Sequence, residues 1–246
     1  MTDEKVFSCR AAVFDMDGTI LDTLGDMADS LNFAMEQTGH RHDFTPELVR
    51  LFFGSAALVA VERALATENG APEAVIAELG EDIPPERFGV DTAEAERILA
   101  IYKPYYETHC NIKTGPYPGI PELLSALREA GVRTAVVSNK PDPAVQALTA
   151  QYFDGLFDSV LGERAGIRRK PAPDMTLRAL RELGAAPEEA CYIGDTEIDL
   201  KTAENAGMRC IAVKWGFRTE AFLRSRGAER FAEDAEELLR KLGVRG

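Results

Sequence analysis

Two pairs of carboxylates have the spacing that metal and phosphate chemistry needs. Asp15 and Asp17 flank a single residue in the segment DMDGT, and Asp195 and Asp199 stand four residues apart in GDTEID. Carboxylates that lie close together repel one another unless a cation lies among them. A small set of hard oxygen ligands suits Mg²⁺, which usually binds together with substrate phosphate. For the first pair taken alone, a turn with solvated acids is the alternative interpretation. For one acid of the second pair, the alternative is stabilisation of a helix N-terminus.

Hydroxyl, amide and ammonium groups occur in two further segments. Ser138 and Asn139 follow an apolar run, and Lys170 follows two arginines and precedes Pro171. Prolines at positions 171 and 173 are expected to hold Lys170 in a fixed, non-helical place, because the proline ring restricts the backbone. A solvated basic loop is the alternative interpretation of this segment.

Short apolar runs come before these polar residues. They are rich in Val, Ile and Phe and do not alternate cleanly, which is typical of parallel strands buried on both faces. The runs predicted as strands are Ala11–Phe14, Thr134–Val137, Ser159–Leu161, Cys191–Ile193 and Cys210–Val213. Amphipathic segments between them predict helices at Pro121–Ala130, Pro143–Tyr152 and Asp174–Leu183.

This alternation predicts an α/β fold, a Rossmann-like doubly wound parallel sheet. Ligands bind at the carboxyl ends of the strands in such sheets, so the polar residues above should gather at one edge. A terminal helix is predicted over Glu229–Leu242.

One long segment without strand runs interrupts the pattern. Its predicted helices are Met27–Thr38, Pro46–Phe52, Ser55–Thr67, Pro72–Leu79 and Thr92–Thr108. The interruption predicts a helical domain, residues 24–112, inserted into an α/β core of residues 1–23 and 113–246. The segment holds 16 acidic and 6 basic residues, which we interpret as a solvated helical surface.

Composition excludes several classes of function. The net charge is −13, with 28 Lys and Arg against 41 Asp and Glu, so a basic stripe for nucleic acid is not expected. No run of about 18 apolar residues predicts a membrane span, and the N-terminus lacks the apolar region of a signal peptide. The four cysteines form no C-x-x-C pair, which favours reduced thiols in a cytoplasmic protein. We expect a monomer or homodimer that acts on a small molecule.

Four motifs together resemble the haloacid-dehalogenase superfamily of Mg²⁺-dependent phosphohydrolases. In the superfamily's order they are Asp15–Thr23, Ser138–Lys140, Lys170–Pro173 and Gly194–Asp199. The resemblance covers essentially the whole chain. The helical segment after the first motif is similar to the superfamily's cap domain of the first type.

The resemblance implies roles for the two carboxylates of the first motif. Asp15 would be the nucleophile that forms an aspartyl-phosphate. Asp17 would protonate the leaving oxygen and later accept a proton from the attacking water. Mg²⁺ would bind the Asp15 carboxylate, the main-chain carbonyl of Asp17 and the Asp195 carboxylate, with Asp199 behind these ligands.

The resemblance also implies a set of phosphate-binding residues. Ser138 and Lys170 would hold phosphoryl oxygens, and Lys170 would neutralise charge near Asp15. Asn139 and Thr19 would orient the phosphate or Asp17. Such a site fits phosphoryl transfer, which depends on positioning the group and neutralising its oxygens.

Within the superfamily the chain is most similar to phosphoglycolate phosphatase-like proteins. The likeness rests on Asp22-Thr23, on the segments 53–55 and 61–65, and on the segment 116–119. Ala56 stands where that group often has a second glycine. Gly54, Ser55 and Arg63 are predicted to determine substrate specificity; Arg63 either reaches a substrate carboxylate or is a surface arginine.

The resemblance therefore implies a phosphatase that hydrolyses a small phosphate monoester, with 2-phosphoglycolate as the suggested substrate. A phosphomutase of the β-phosphoglucomutase type is the alternative, because it shares these motifs. Dehalogenation is disfavoured, since displacing halide needs no acid at Asp17. A non-catalytic binding protein is disfavoured because the set of acids is complete.

Overall fold

The structure is a computed structural model that describes residues 9–80 and 82–244. Residues 1–8, where no signal peptide is expected, lie outside the described part. In chain order the strands are β1 (Ala11–Phe14), β2 (Leu21–Asp22), β3 (Gly115–Pro116), β4 (Arg133–Pro141), β5 (Ser159–Glu163), β6 (Ala190–Gly194), β7 (Arg209–Val213) and β8 (Phe231–Ala232).

Helices separate most of these strands along the chain. They are α1 (Leu24–Gln37), α2 (Pro46–Phe52), α3 (Ala57–Glu68), α4 (Glu73–Ile76), α5 (Thr92–His109), α6 (Ile120–Glu129), α7 (Asp142–Tyr152), α8 (Asp174–Leu183), α9 (Glu197–Ala206), α10 (Glu220–Ser225) and α11 (Ala235–Lys241). None of the described helices is long and apolar enough to cross a membrane.

Six strands form one parallel sheet in the order β5-β4-β1-β6-β7-β8. Successive residues of β1 face opposite sides: Phe14 packs in a cluster with residues of α6, α7 and α11, whereas Val13 packs with residues of α8. Both faces are therefore covered by helices, which explains the near-continuous apolar runs in the sequence. The prediction of a doubly wound parallel α/β sheet is confirmed.

Helix α8 shows how local sequence sets the bounds of an element. Met175, Ala179 and Leu183 recur at helical spacing and are buried against the sheet. The helix ends at Gly184, whose φ of 65° lies in the left-handed region that glycine adopts at low cost. The predicted bounds of this helix are those observed.

Most predicted helices differ from the structure by one to three residues at their ends, and two differ in extent. The segment Glu229–Leu242 is not one helix, because Phe231–Ala232 pairs in parallel with Ala212 and Val213 as the edge strand β8. Helix α11 then begins after Asp234, whose carboxylate accepts a hydrogen bond from the N–H of Glu237. Helix α4 is also shorter than the predicted Pro72–Leu79.

The chain divides into two compact units: the described residues up to Asp22 together with those from Gly115 onward, and Thr23–Thr114. The boundaries predicted from the sequence differ from these by one or two residues. In the helical unit, the buried Asp26 carboxylate accepts hydrogen bonds from the main-chain N–H groups of residues 112–114. This contact ties the end of the helical segment to its first helix, α1.

Candidate active site

The carboxyl ends of four neighbouring parallel strands carry the polar residues singled out above. Asp15 directly follows β1, Ser138 lies in β4, Lys170 lies in the loop between β5 and α8, and Asp195 directly follows β6. Since these strands are adjacent and parallel, their ends bring the residues to one edge of the sheet.

Lys170 lies between two of the carboxylates. Its Nζ is 2.7 Å from Oδ1 of Asp15 and 2.8 Å from Oδ1 of Asp199, and the side chain is buried. Burial alone would lower the pKa of Lys170, but the two carboxylates outweigh it and hold the pKa well above its usual value. The two carboxylates therefore favour the ammonium form of Lys170 in the site.

Asn139 holds the main chain of Lys170. Its side-chain N–H donates to the carbonyl of Lys170 at 3.1 Å, and its Oδ1 accepts from the N–H of Lys170 at 2.8 Å. The amide thus fixes the loop that carries the lysine. Both ends of the amide face this main chain, and the role of Asn139 in orienting the phosphate or Asp17 stays a prediction.

Asp195 is held by a hydroxyl and a main-chain amide. Thr19 Oγ1 donates to Oδ1 at 2.8 Å, and the N–H of Phe217 donates to Oδ2 at 2.7 Å. The fully buried hydroxyl of Thr19 is directed at Asp195, and its phosphate-binding role stays a prediction. Gly18 has a φ of 83° and passes so close to Asp195 that a Cβ would clash with Oδ2 of its carboxylate.

Asp199 has two structural tasks at once. Its Oδ2 accepts hydrogen bonds from the N–H and the hydroxyl of Thr196, which caps the start of α9. Its Oδ1 contacts Lys170 and accepts a 3.3 Å hydrogen bond from the hydroxyl of Tyr192. Asp199 therefore contacts Lys170 with one oxygen and the start of α9 with the other.

The carboxylates of Asp15, Asp195 and Asp199 are buried and lie close together. Oxygen atoms of Asp15, Asp195 and Asp199 lie within 4.8 Å of one another. Burial and the nearby Asp199 raise the pKa of Asp15 well above its usual value and that of Asp195 to about 7. Oδ1 of Asp15 accepts from the N–H of Met16, whereas Oδ2 has no partner among residues 9–80 and 82–244.

Buried oxygen ligands with raised pKa values and one free carboxylate oxygen suit a small divalent cation. The residues present therefore fit Mg²⁺. Asp15 and Asp195 are the two carboxylates of the group with lone pairs left for such an ion. Each oxygen of Asp195 accepts from a single donor, whereas each oxygen of Asp199 contacts at least two.

Lys140 is a residue of the site to which the sequence analysis assigned no role. Its side chain is only 2% exposed, and its Nζ lies 3.0 Å from Oδ1 of Asp17. A count of the charges in the predicted site would have indicated this lysine, because four carboxylates at one sheet edge need more than one buried cation. Ser138, also buried, accepts a hydrogen bond from the N–H of Lys140.

The three predicted specificity residues lie in the helical unit. Gly54 and Ser55 are half-buried in the loop between α2 and α3. Arg63 on α3 is fully buried, so the surface interpretation is wrong.

The guanidinium of Arg63 donates to main-chain carbonyls inside the helical unit. The acceptors are Phe52 at 2.9 Å, Ala77 at 2.7 Å and Leu79 at 3.0 Å. Phe52 ends α2, where unpaired carbonyls favour a cation. The expectation that Arg63 reaches a substrate carboxylate is therefore corrected, because its donors bind the chain itself.

The fold is a doubly wound parallel sheet. At the carboxyl edge of this sheet lie a carboxylate that is a candidate nucleophile and a buried lysine, and this combination is typical of a class of hydrolases. Residues 12–213 match the haloacid dehalogenase-like hydrolase family. The chain belongs to this family, and it is a phosphatase.

Known relatives agree with this class. The chain is 31% identical to a phosphoglycolate phosphatase of Pseudomonas putida over 209 residues, which is 85% of this chain and 70% of that protein. It is 32% identical over 233 residues to a candidate pyrophosphatase, PpaX, of Caldanaerobacter subterraneus, covering 94% of this chain and 93% of that protein. A crystal structure of a candidate phosphoglycolate phosphatase from Lactobacillus delbrueckii subsp. bulgaricus superposes with a TM-score of 0.92 and 52% identity, covering 96% and 98% of the two chains.

Proposed function

We propose that the protein hydrolyses a small phosphate monoester with Mg²⁺, through an aspartyl-phosphate formed on Asp15. One observation carries this proposal. The Asp15 carboxylate is fixed through Oδ1 by Lys170 and by the N–H of Met16, while Oδ2 has no partner among the described residues. An oriented carboxylate with one uncommitted oxygen is what nucleophilic attack on phosphorus requires.

The other polar groups fit the remaining tasks of this reaction. Asp17 would give a proton to the leaving oxygen and later take one from water. Lys170 and Ser138 would hold phosphoryl oxygens, and Asn139 would keep Lys170 in place. Such positioning is the main source of catalysis in phosphoryl transfer.

Mg²⁺ would be held by the carboxylates of Asp15 and Asp195 and by the main-chain carbonyl of Asp17. When bound, it would neutralise charge on the phosphoryl oxygens. Thr19 and the N–H of Phe217 would keep the Asp195 carboxylate directed at the ion.

Relatives that are named as phosphoglycolate phosphatases support 2-phosphoglycolate as the substrate. The similarity to PpaX makes pyrophosphate the second candidate. The phosphomutase alternative receives no support from the relatives. Gly54 and Ser55 remain the proposed specificity residues of the helical unit.

A substrate panel tests this proposal. Release of inorganic phosphate is measured with Mg²⁺ from 2-phosphoglycolate, pyrophosphate, sugar phosphates and nucleotides, with Asp15→Asn as the inactive control. We expect the highest kcat/KM for 2-phosphoglycolate. A preference for pyrophosphate would overturn the substrate, and isomerisation of a phosphosugar without phosphate release would overturn the reaction.

A further inference from the structure

Asp17 and Lys140 form a second buried ion pair beside that of Asp15 and Lys170. Oδ1 of Asp17 is inaccessible to solvent and accepts no hydrogen bond of good geometry from the described residues. The Nζ of Lys140, 3.0 Å away, is the charge that compensates it. The exposed fraction of the Asp17 side chain, 15%, therefore falls on its other atoms.

The main chain around Lys140 directs the lysine to this place. β4 runs on to Pro141 with an irregular register against β5 after Val137. The N–H of Lys140 donates to Oγ of Ser138 at 3.1 Å. A lysine held by its own strand, with a buried side chain, has little freedom to leave its carboxylate.

We propose that Lys140 is a positioning residue that acts through Asp17. It holds Oδ1, so that Oδ2 is the oxygen that carries and gives the proton. This inference rests on the proposed function.

The proton transfer belongs to the first chemical step. An oxygen of Asp15 forms a bond to phosphorus, and the bond between phosphorus and the ester oxygen breaks. The ester oxygen keeps the electron pair of that bond and takes the proton from Asp17. An alcohol leaves, and Asp17 becomes a carboxylate facing the ammonium of Lys140.

A different role would give a different pattern of losses. If Lys140 bound a phosphoryl oxygen directly, its removal would harm every phosphate ester alike, because all share the phosphoryl group. If it acts through Asp17, the harm depends on the leaving group. An alkyl alkoxide needs the proton, whereas a nitrophenolate is a stable anion without it.

The experiment compares Lys140→Met with the wild-type chain on an alkyl phosphate and on p-nitrophenyl phosphate, with Mg²⁺. General acid–base groups contribute ~10²–10⁴-fold, so the loss in kcat/KM on the alkyl ester should exceed that on the aryl ester by about tenfold or more. Lys140→Arg should recover part of the alkyl activity. Lys214→Met is the control, because Lys214 pairs with Glu220 and Glu233 outside the site, and it should leave both activities unchanged.

A double-mutant cycle on p-nitrophenyl phosphate provides the second measurement. In the Asp17→Asn background, Lys140→Met should cost little more, because the group through which Lys140 acts is already absent. Circular dichroism verifies that each variant is folded. If Lys140→Met does not fold, Lys140→Gln takes its place in both experiments.

The outcomes separate the two proposals. Equal losses on both esters, or a full additional loss in the Asp17→Asn background, would overturn the role of Lys140 and leave the phosphatase proposal intact. A wild-type chain that releases no phosphate from either ester would contradict the proposed function itself.

Discussion

The Nζ of Lys170 lies 2.7 Å from Oδ1 of Asp15 and leaves Oδ2 of the same carboxylate without a partner among the described residues. The lysine thus compensates the charge of the carboxylate and selects which oxygen is available. Because Asn139 fixes the main chain of Lys170 on both sides, this relationship is set by the fold before any substrate binds.

The first prediction concerns the buried charge of Lys170. Lys170→Met leaves Asp15 and Asp199 without their cation, and breaking a buried pair in this way typically costs about 3–5 kcal/mol. We expect a loss of that size in urea unfolding, together with loss of phosphatase activity. Lys201→Met, which removes an exposed pair with Glu204, should change stability by less than about 1 kcal/mol. Similar losses for the two variants would be inconsistent with the buried pair.

The second prediction concerns metal removal. A ligand that binds only the folded state stabilises it, by about 2.7 kcal/mol at a hundred times its Kd. Mg²⁺ should therefore raise the Tm of the chelated protein, and EDTA should abolish activity. Asp195→Asn should remove most of the Mg²⁺-dependent rise in Tm. An equal rise in that variant would place the ion elsewhere.

The third prediction concerns Arg63. Its guanidinium donates to at least three buried carbonyls, and a buried polar group left unsatisfied costs about 1–3 kcal/mol. Arg63→Met should destabilise the protein by at least about 3 kcal/mol, measured by urea unfolding. The exposed Arg87, in the same unit, is the control, and Arg87→Met should stay within about 0.5 kcal/mol. An unchanged stability with a raised KM for carboxylate substrates would restore the substrate-binding role.

The fourth prediction concerns pH. Nδ1 of His40 lies 2.8 Å from Glu68 and Nε2 lies 2.7 Å from Glu94. Partial burial works against the charged ring, but the hydrogen bonds to Glu94 and Glu68 outweigh it and raise the pKa of His40.

A folded-state pKa above the unfolded value means that the contribution of His40 is fully present below about 6.5, the unfolded pKa, and is lost as pH rises through the folded pKa. His40→Gln should therefore cost more stability at acidic than at alkaline pH. In a background of Glu68→Gln and Glu94→Gln this pH dependence should shrink. A cost that is independent of pH would argue against the ion pairs.

The sequence predicted the central strands and helices better than the strand at the edge of the sheet. β1 and α8 have the bounds expected from their apolar patterns, because a buried run and a terminal glycine are strong local signals. β8 was missed, since a two-residue strand carries no periodicity and is defined by its pairing with β7.

The chemistry of the site was predictable by residue type, and the contacts were not. Thr19 and Asn139 stand in the right motifs, but their partners, Asp195 and Lys170, are distant in sequence. Neither alternative for Arg63, a substrate-carboxylate ligand or a surface arginine, placed it in the core, because its acceptors are main-chain carbonyls that leave no trace in the side-chain pattern.

Mass spectrometry of the phosphorylated enzyme tests the central claim most directly. Asp17→Asn keeps the proposed nucleophile but lacks the base that activates water, so with Mg²⁺ and p-nitrophenyl phosphate the intermediate should accumulate. The predicted result is a phosphate adduct on Asp15 in this variant and its absence in Asp15→Asn. An adduct on any other residue, or near-normal activity in Asp15→Asn, would contradict nucleophilic attack by Asp15.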